Sequence, residues 1–517
     1  MPDGPRDAGS TRGGWESAAV AGSFLLYAAI AAPVPALNEP HYLAKAKHFW
    51  NPDWCAGDLF LQSANAHTVF FVALGWLTLF LPLPAVAWIG RVTSLALLAG
   101  GWTAFTRQLI PQTGAALLSA WLFLGLQSIG NFSGEWVIGG VESKVYAFAA
   151  LFWAAAWMLQ GRPNLAAAAC GVGIAFHPVV GLWTLLAVIG AWLARRDGFW
   201  RSIRLRPTAV GVAVLVLTAL PGMIPVVQLL TAAVDPTTRY TGTYLQVFHR
   251  LGHHLDPMQF PRSAYVCYLG LLMLWLIGVI VGPRTTQWRW LHRAVLWAVI
   301  FAVVGVLVGW GPRPPNLLPG YEWRMHLLKF YPFRLADALL PMAVAWLATW
   351  TLSAGFVPRR GMVMLGVLVV AATLWRGFRL AQAERYRASQ EAGWLDACRW
   401  MREHAPRDAV VHTPHFRWTF KWYAERAEYA TFKDCPQDVA GIVEWNRRLL
   451  LLTRRFQEGF ADGVYTWEEL QALRAETGIT HIVTDRLGPM DFPPVYQNGS
   501  FRVYDLVADR EAIAPQP

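Results

Sequence analysis

Charged residues are scarce in this chain. Asp, Glu, Lys and Arg make up only 15% of its 517 residues, against about a quarter in typical soluble domains. Hydrophobic residues make up 55%, and they come in blocks of about 16–24 residues between short charged turns. That length lets a helix cross about 30 Å of hydrocarbon, where unpaired backbone groups are not tolerated. A soluble multidomain protein is therefore excluded, and the blocks are predicted to be membrane helices.

Cysteine is also rare, with five residues and no Cys-x-x-Cys pair. Cys170 and Cys267 fall inside apolar blocks, as small core residues do. Cys398 and Cys435 fall in the polar C-terminal part and could pair if that part faces an oxidising compartment. The first apolar block, 18–36, lacks a small-residue cleavage pattern, which indicates an anchor rather than a cleaved signal peptide.

The net charge of +11 does not indicate nucleic-acid binding, because the basic residues form neither a stripe nor a tail. They gather in three short loops, at 195–206, 283–293 and 358–360. Lys and Arg beside membrane helices stay in the cytoplasm. Counting outward from these loops, 232–263, 312–334 and the C-terminal part are predicted to be extracytoplasmic.

About 11–13 membrane helices are predicted, of which twelve can be placed. A small C-terminal α/β domain follows them. The helices are placed at 17–36, 66–82, 84–106, 113–130, 143–160, 164–177, 178–194, 208–231, 264–282, 294–311, 335–353 and 361–381. The predicted layout is a cytoplasmic tail (1–16), a membrane domain (17–381) with a further outer loop at 37–65, and an extracytoplasmic domain (382–517). Within the last, short strands are expected at 409–412, 480–484 and 501–506.

The side of 131–142 depends on the block at 66–82. If every apolar block crosses fully, 131–142 is cytoplasmic. If 66–82 or its neighbour inserts only partly, 131–142 shares the outer side with 37–65. We favour the outer side.

Four polar segments carry candidate functional residues. In the first, Glu39 follows the first membrane helix, where a partly buried carboxylate could act as a general base; it could equally cap the loop. His41 and Asp58 lie in the same loop. In the second, Glu142 and Lys144 need a partner or a polar cavity, and a structural ion pair at a helix start explains them equally well.

The other two segments are rich in His and Arg. Arg250, His253 and His254 could bind a metal or an anion, or lie in a solvated loop. Arg324, Lys329 and Arg334 are basic where the positive-inside rule predicts no bases, which favours binding of a phosphate; Arg334 could also pair with Asp337. His177, before Pro178 in an apolar hairpin, is either a packing residue or a ligand.

Residues 38–42 (Asn-Glu-Pro-His-Tyr) resemble the acidic first-loop motif of the GT-C superfamily of membrane glycosyltransferases, and 142–147 resemble its charged segment before a later helix. The likeness is greatest to bacterial multipass members. It implies a multipass protein of the bacterial inner membrane with an outward C-terminal domain. The motif has Glu rather than Asp, and an acceptor-peptide motif such as WWDxG is missing.

The resemblance implies inverting transfer of a sugar from a polyprenyl-phosphate donor to a glycan, lipid or protein acceptor. Glu39, or Asp58 in its place, would be the base. Arg250, Arg324, Lys329 or Arg334 would hold the departing phosphate, and Glu142 and Lys144 would position the substrate. His41, His177, His253 and His254 are further candidate substrate ligands. No cofactor or resident metal is assigned, although a divalent cation could take part; membrane lipids are the other expected partners.

Two other functions fit parts of the sequence. A transporter or lipid flippase would have broken or charged helices near the bilayer midplane and two matching halves, but no internal repeat is evident. A non-catalytic cell-envelope assembly protein could be built around 382–517.

Overall fold

The computed structural model describes residues 9–194, 205–356, 358–383, 388, 390–415 and 417–508. All twelve apolar blocks are helical in it. Seven of the described helices are long and apolar enough to cross a membrane, and five apolar helices are shorter. Together with a small C-terminal sheet, they confirm the predicted helical membrane protein with a C-terminal α/β region.

The bounds of the helices up to residue 381 are as follows. They are α1 (Gly9–Ala31), α2 (Glu39–Trp50), α3 (Leu59–Gln62), α4 (Thr68–Leu74, continued as a 3₁₀ turn to Leu79), α5 (Leu83–Leu109), α6 (Ala115–Gln127), α7 (Ser143–Leu159), α8 (Pro163–Phe176), α9 (Pro178–Leu193), α10 (Leu205–Thr231), α11 (Pro236–Tyr244), α12 (Gly252–Leu255), α13 (Arg262–Val281), α14 (Thr286–Gly309), α15 (Tyr321–Leu328), α16 (Arg334–Thr351) and α17 (Arg359–Ala381).

Two buried ion pairs mark the two ends of the helix bundle. At one end, Glu16 on α1 binds Arg107 near the end of α5 (2.9 Å) and accepts the backbone N–H of Gly114 before α6. At the other end, Glu39 on α2 binds Arg91 on the first half of α5 (2.6 Å). Helix α5 therefore runs from the Glu39 end to the Glu16 end, and α6 returns.

Helix α4 does not cross the bundle. It packs on the loop helix α2, and a Cβ at Gly75 in its 3₁₀ continuation would lie 3.0 Å from Ala46 of that helix. The block 66–82 is therefore the partial insertion, and 131–142 lies at the Glu39 end. There the backbone N–H of Phe132 binds Asp337 near the start of α16 (3.0 Å).

Two of the basic loops can be located. The Trp288 indole donates to the carbonyl of Leu109 (3.1 Å), so 283–293 lies at the Glu16 end. Helix α14 already begins at Thr286, where Thr285 caps it, so most of that predicted loop is helical. Helix α17 begins at Arg359, and near its other end Arg376 donates to the carbonyl of Ser128, which lies at the Glu39 end of the bundle. The start of α17, with the loop 358–360, therefore lies at the Glu16 end. Of the loop 195–206, residues 195–204 lie outside the described part.

The outer loops contain more helix than expected. The segment 232–263 holds α11, α12 and the start of α13, and 312–334 holds α15 and the first residue of α16. Short amphipathic turns of this kind have no long apolar run, so the sequence gives them little signal.

The C-terminal region is a small α/β fold. Its elements are α18 (Ala392–His404), β1 (Val410–His412), α19 (Phe420–Ala424), β2 (Ala427–Glu428), α20 (Val439–Gly459), α21 (Trp467–Thr477), β3 (His481–Thr484), β4 (Tyr496–Gln497) and β5 (Arg502–Asp505). The strand order is β2-β1-β3-β5-β4, with β1 parallel to β2 and β3, and β5 antiparallel to its neighbours. The three strands predicted from the sequence are β1, β3 and β5.

The core of this region shows why Cys398 and Cys435 do not form a disulfide. Trp394, Cys398 and Met401 recur at helical spacing on α18 and are fully buried against the sheet. Cys435 lies elsewhere, on the loop before α20, and both thiols are free. The suggested Cys398–Cys435 pair is therefore not formed.

Candidate functional site

A cavity of about 660 Å³ lies at the Glu39 end of the bundle, beneath the C-terminal region. Four segments named from the sequence meet there: 38–67, 131–146, 239–256 and 321–337. The polar side chains that line it include Asn38, His41, Tyr42, His67, Gln127, Ser128, Asn131, Glu135, Glu142, Lys144, His177, Gln246, Arg250, His253, His254, Lys329, Tyr331, Arg334, Lys433 and Gln437.

The charged lining is mostly cationic. Five side chains are basic (Lys144, Arg250, Lys329, Arg334, Lys433), and two are carboxylates (Glu135, Glu142). The histidines add little charge at neutral pH, because burial lowers the pKa of His41 to about 4 and that of His67 to about 3. The described lining therefore carries an excess of positive charge, which suits an anionic ligand.

Two carboxylates and two cations form one buried network on the floor of the cavity. Arg334 Nε lies 2.7 Å from Glu135 Oε2, and Lys144 Nζ lies 3.1 Å from Glu135 Oε1. Lys144 is also 3.4 Å from Glu142 Oε2. Arg334 pairs with Glu135 rather than with Asp337, which instead accepts the backbone N–H groups of 132 and 133.

Glu142 is the less neutralised carboxylate of this network. Its Oε1 accepts a hydrogen bond from the Asn38 amide (2.7 Å), and its Oε2 faces only the more distant Lys144. Burial raises its pKa. A carboxylate with a raised pKa in a cavity is suited to accept a proton.

Arg250 is held with spare hydrogen-bonding capacity. One terminal nitrogen donates to the carbonyl of Lys433 (2.8 Å), and the guanidinium lies 5.3 Å from the centre of the Phe432 ring. Its Nε is buried and has no hydrogen-bond partner in the part of the chain that the structure describes. Burial also lowers the pKa of Lys329, which lines the cavity as well. Both groups remain able to bind an incoming anion.

The cavity histidines have structural partners. His177 Nε2 accepts a hydrogen bond from Arg334 (3.2 Å), so its Nδ1 carries the ring proton and only contacts the backbone nitrogen of Val180 (3.4 Å). His254 Nδ1 bonds the carbonyl of Ser133. The ring centres of His253 and His254 are 4.0 Å apart, and burial lowers the pKa of His253. His41 stacks on Phe60 and bonds Asp434. Among the described residues no group of three or more His, Cys, Asp or Glu could hold a metal ion.

Glu39 does not line the cavity, contrary to its assignment as the general base. Its carboxylate is fully buried and is bound by Arg91 through Nε (2.6 Å) and a terminal nitrogen (2.9 Å). It also accepts the backbone N–H groups of Ala36 and Val141. It lies behind Gly140, where a Cβ would be 3.0 Å from Glu39 Oε1. Arg91 and the two backbone N–H groups occupy both carboxylate oxygens, so Glu39 fixes the loop.

Asp58 and Arg324 also lie away from the cavity. Asp58 caps α3 and binds Lys421 of the C-terminal region (3.0 Å), so it joins the first loop to that region. Arg324 donates to the carbonyl of Val308 (2.9 Å) and lies beside the ring of Trp323. Neither residue is therefore placed to contact a substrate bound in the cavity.

Three residues of the site were not singled out from the sequence. Glu135 stands in a polar run that did suggest a site, but its partner Arg334 is 199 positions further along the chain. Lys433 contacts Asn38, and the two residues are 395 positions apart in the sequence. No local pattern marks such contacts, and only the excess of polar residues near membrane helices could have pointed to them.

One side of the cavity is apolar. Tyr27 and Ala31 of α1, Leu380 of α17, and Val226 and Leu230 of α10 line it. Leu230 is also 37% exposed. The lining of the cavity therefore includes an exposed apolar side chain near the end of α10, a helix that is long and apolar enough to cross a membrane.

Comparison with known proteins yields limited matches. Residues 392–452 match a family described as a domain of unknown function, DUF6798. No curated protein matches the chain.

Among solved structures, the archaeal oligosaccharyltransferase AglB from Archaeoglobus fulgidus, in complex with an inhibitory peptide and a dolichol-phosphate, is similar with a TM-score of 0.39 and 12% identity. The match covers 91% of this chain and 69% of that chain. The oligosaccharyltransferase of the same organism in complex with Zn and sulfate matches with a TM-score of 0.40 and 13% identity, over 90% and 68%. At these values the likeness establishes no function.

Proposed function

We propose that this protein transfers a sugar from a polyprenyl-phosphate donor to an acceptor, with the cavity as its active site. The observation that carries the proposal is a cationic cavity whose lining extends to the exposed Leu230 of α10, a helix that is long and apolar enough to cross a membrane. A lipid phosphate needs both features, because its head group is anionic and its chain must stay in hydrocarbon. A cavity for a soluble anion would not need the second.

The cations at the cavity wall would bind the phosphate. Arg250 and Lys329 line the cavity, and Arg334 lies on the floor beside Lys144. Negative charge grows on the phosphate oxygen as its bond to the sugar breaks, so pre-positioned cations stabilise the transition state more than the ground state. Arg334 and Lys144 remain anchored by Glu135, which costs little reorganisation during the reaction.

Glu142 would be the general base. The acceptor hydroxyl gives its proton to the Glu142 carboxylate while its oxygen bonds to the anomeric carbon. The bond from that carbon to the phosphate oxygen breaks, and the lipid phosphate leaves with the electron pair. Attack from the side opposite the phosphate inverts the anomeric carbon. Glu142 takes the role first expected of Glu39, because it is the cavity carboxylate with a raised pKa.

Membrane orientation follows from the same geometry. The basic loops at 283–293 and 358–360 lie at the Glu16 end, away from the cavity. If these loops are cytoplasmic, the cavity and the C-terminal region lie on the extracytoplasmic side of a cell membrane. Labelling of single cysteines introduced at Asp462 and Arg284 from either side of intact cells would test this orientation.

The deciding experiment is transfer from labelled polyprenyl-phosphate sugars in membranes containing the full chain. Glu142→Gln should lower the rate at least about a hundredfold, as loss of a general base does. Glu322→Gln, an exposed carboxylate outside the cavity, is the matched control and should leave the rate unchanged. Unchanged transfer by Glu142→Gln would remove it as the base. No transfer by the wild type with any donor, together with flux of lipid or solute, would favour a transporter instead.

A further inference from the structure

A short segment of the C-terminal region enters the membrane cavity. Lys433, Cys435, Pro436 and Gln437 line the cavity, while Asp434 between them points the other way. The segment is bound to three separate parts of the membrane region. Lys433 Nζ donates to Asn38 Oδ1 (2.5 Å), its carbonyl accepts from Arg250, and Gln437 Oε1 accepts the N–H of Ala66 (3.1 Å).

Asn38 joins this segment to Glu142. Its Oδ1 accepts from Lys433, and its Nδ2 donates to Glu142 Oε1 (2.7 Å). Only this orientation of the amide satisfies both partners, because a lysine cannot accept and a carboxylate cannot donate. A cation on the amide oxygen polarises the amide and strengthens its N–H donation. The charge of Lys433 thus reaches Glu142 directly and through the amide.

A buried charge cluster holds the segment in place. Lys421 Nζ contacts Asp434 (2.6 Å), Glu428 (2.7 Å) and Asp58 of the first loop (3.0 Å). Asp434 also binds His41 of α2 (3.0 Å). The side chains of Lys421, Asp434, Glu428 and Asp58 are each at most 7% exposed. We refer to Lys421, Asp58, Glu428, Asp434 and His41 as the docking cluster.

We propose that the C-terminal region completes the active site: docking places Lys433 where it binds the substrate phosphate and, through Asn38, positions the Glu142 carboxylate. This inference rests on the proposed function for the identity of the ligand. Asn38 is a positioning residue, since it acts through Glu142. Lys433 is both a ligand for the anion and a positioning residue. The membrane helices alone would hold an incomplete site.

The expected pH effect has a definite sign. The hydrogen bond from Asn38 and the positive charge of Lys433 each lower the pKa of Glu142 against the larger effect of burial. Removing either one raises that pKa. An ionised Glu142 repels a phosphate, so protonation of Glu142 tightens phosphate binding as the pH falls through its pKa. The second ionisation of the phosphate itself, with a pKa of about 6, is the same for every variant, so a difference in midpoint between variants reports Glu142. Both Lys433→Met and Asn38→Leu should therefore move this midpoint to higher pH. Lys144, Glu135 and Arg334 also face Glu142 and stay unchanged in both variants.

The test measures binding of polyprenyl monophosphate to the full chain in nanodiscs between pH 5 and 9, so it does not depend on sugar transfer. Lys433→Met should weaken binding about tenfold, which is roughly the worth of one charge-assisted hydrogen bond, and should raise the midpoint. Lys433→Arg should restore most of both. Asn38→Leu, which leaves the C-terminal region intact, should raise the midpoint with a smaller loss of affinity. Arg399→Met, an exposed residue of that region, is the control.

Several outcomes would overturn the inference. One is unchanged affinity and midpoint in Lys433→Met and Asn38→Leu. Another is equal losses in Lys433→Met and Lys433→Arg, since that would indicate a purely structural role. Equal binding of inorganic phosphate and polyprenyl phosphate would show a free-anion site instead. Failure of the proposed function is distinguishable, because it would appear as lipid-phosphate binding with these shifts but without any sugar transfer.

Discussion

Glu39 and Arg91 form a fully buried ion pair in which two guanidinium nitrogens face the two carboxylate oxygens. The pair joins the first loop helix α2 to the membrane helix α5. It also binds the backbone at Val141, so it connects three segments: α2, α5 and the loop before α7.

Loss of this pair should therefore reduce stability rather than chemistry. Glu39→Ala leaves Arg91 as a buried charge without its partner, which typically costs about 3–5 kcal/mol. We expect a clear fall in Tm of the purified protein in detergent, with transfer per folded molecule reduced far less than in Glu142→Gln. A variant of normal Tm with no transfer would instead return Glu39 to the role of base.

Two arginines from the basic outer segments provide a matched pair. Arg250 lines the cavity with a buried Nε that has no hydrogen-bond partner among the described residues, whereas Arg324 bonds Val308 outside it. Arg250→Met should weaken binding of polyprenyl phosphate about tenfold or more, since a charged hydrogen bond is lost. Arg324→Met should change it less than about twofold. Titration of both variants with the lipid decides this, and equal losses would contradict the site boundaries.

The apolar side of the cavity predicts a dependence on lipid chain length. Leu230→Trp should narrow the apolar part of the cavity, and so reduce transfer from a long-chain donor more than from a short-chain analogue. Leu217 on the same helix is 66% exposed and does not line the cavity. Leu217→Trp is therefore the control. Identical chain-length profiles in both variants would show that the lipid enters elsewhere.

The docking cluster should weaken as the pH rises. Burial, together with the nearby Asp434, raises the pKa of Glu428 to about 7, although Lys421 opposes this effect. A carboxyl group whose pKa is raised by folding stabilises the folded state fully below its unfolded value of about 4.5, and this contribution disappears as the pH rises through about 7. The size is about 3 kcal/mol, because each pKa unit is worth about 1.4 kcal/mol.

Two neighbours respond in the opposite direction. The pKa of Asp434 is lowered by Lys421 and that of His41 by burial, so both contributions are lost on acidification. Glu428→Gln, which cannot ionise, should remove the loss of stability between about pH 4.5 and 7 and leave the acid limb in place. Protease cleavage between the two regions as a function of pH measures this. An unchanged alkaline limb in the variant would show that another group is responsible.

The sequence predicted the layout well because membrane helices depend on local composition. All twelve apolar blocks are helices, and the strands β1 and β3 contain pairs of β-branched residues, whereas β5 has two buried residues between two charged ones. The boundary errors have local causes. Thr285 caps α14 ahead of its apolar run, and α4 is too short to cross although its residues are apolar.

The candidate site was predictable only in part. Nine of the substrate-binding candidates line the cavity, because ionisable residues near membrane helices need a polar environment. They are His41, Glu142, Lys144, His177, Arg250, His253, His254, Lys329 and Arg334. Glu39, Asp58 and Arg324 fit the same rule but are satisfied by partners outside the cavity. Contacts between distant segments, such as that of Glu39 with Arg91, decide which polar residue lines the cavity. No local sequence pattern reveals such contacts.

The adjacent residues Lys433 and Asp434 connect the C-terminal region to the membrane helices, although the two parts otherwise resemble separate domains. One residue faces the cavity, and the next faces the docking cluster, so a change of one position in this loop would exchange a cation for an anion at the active site. An exchange of C-terminal regions between related chains would have to preserve this register together with Asn38, Asp58 and His41. Insertions are therefore expected to be tolerated at the exposed turn 461–463 and not between residues 431 and 437.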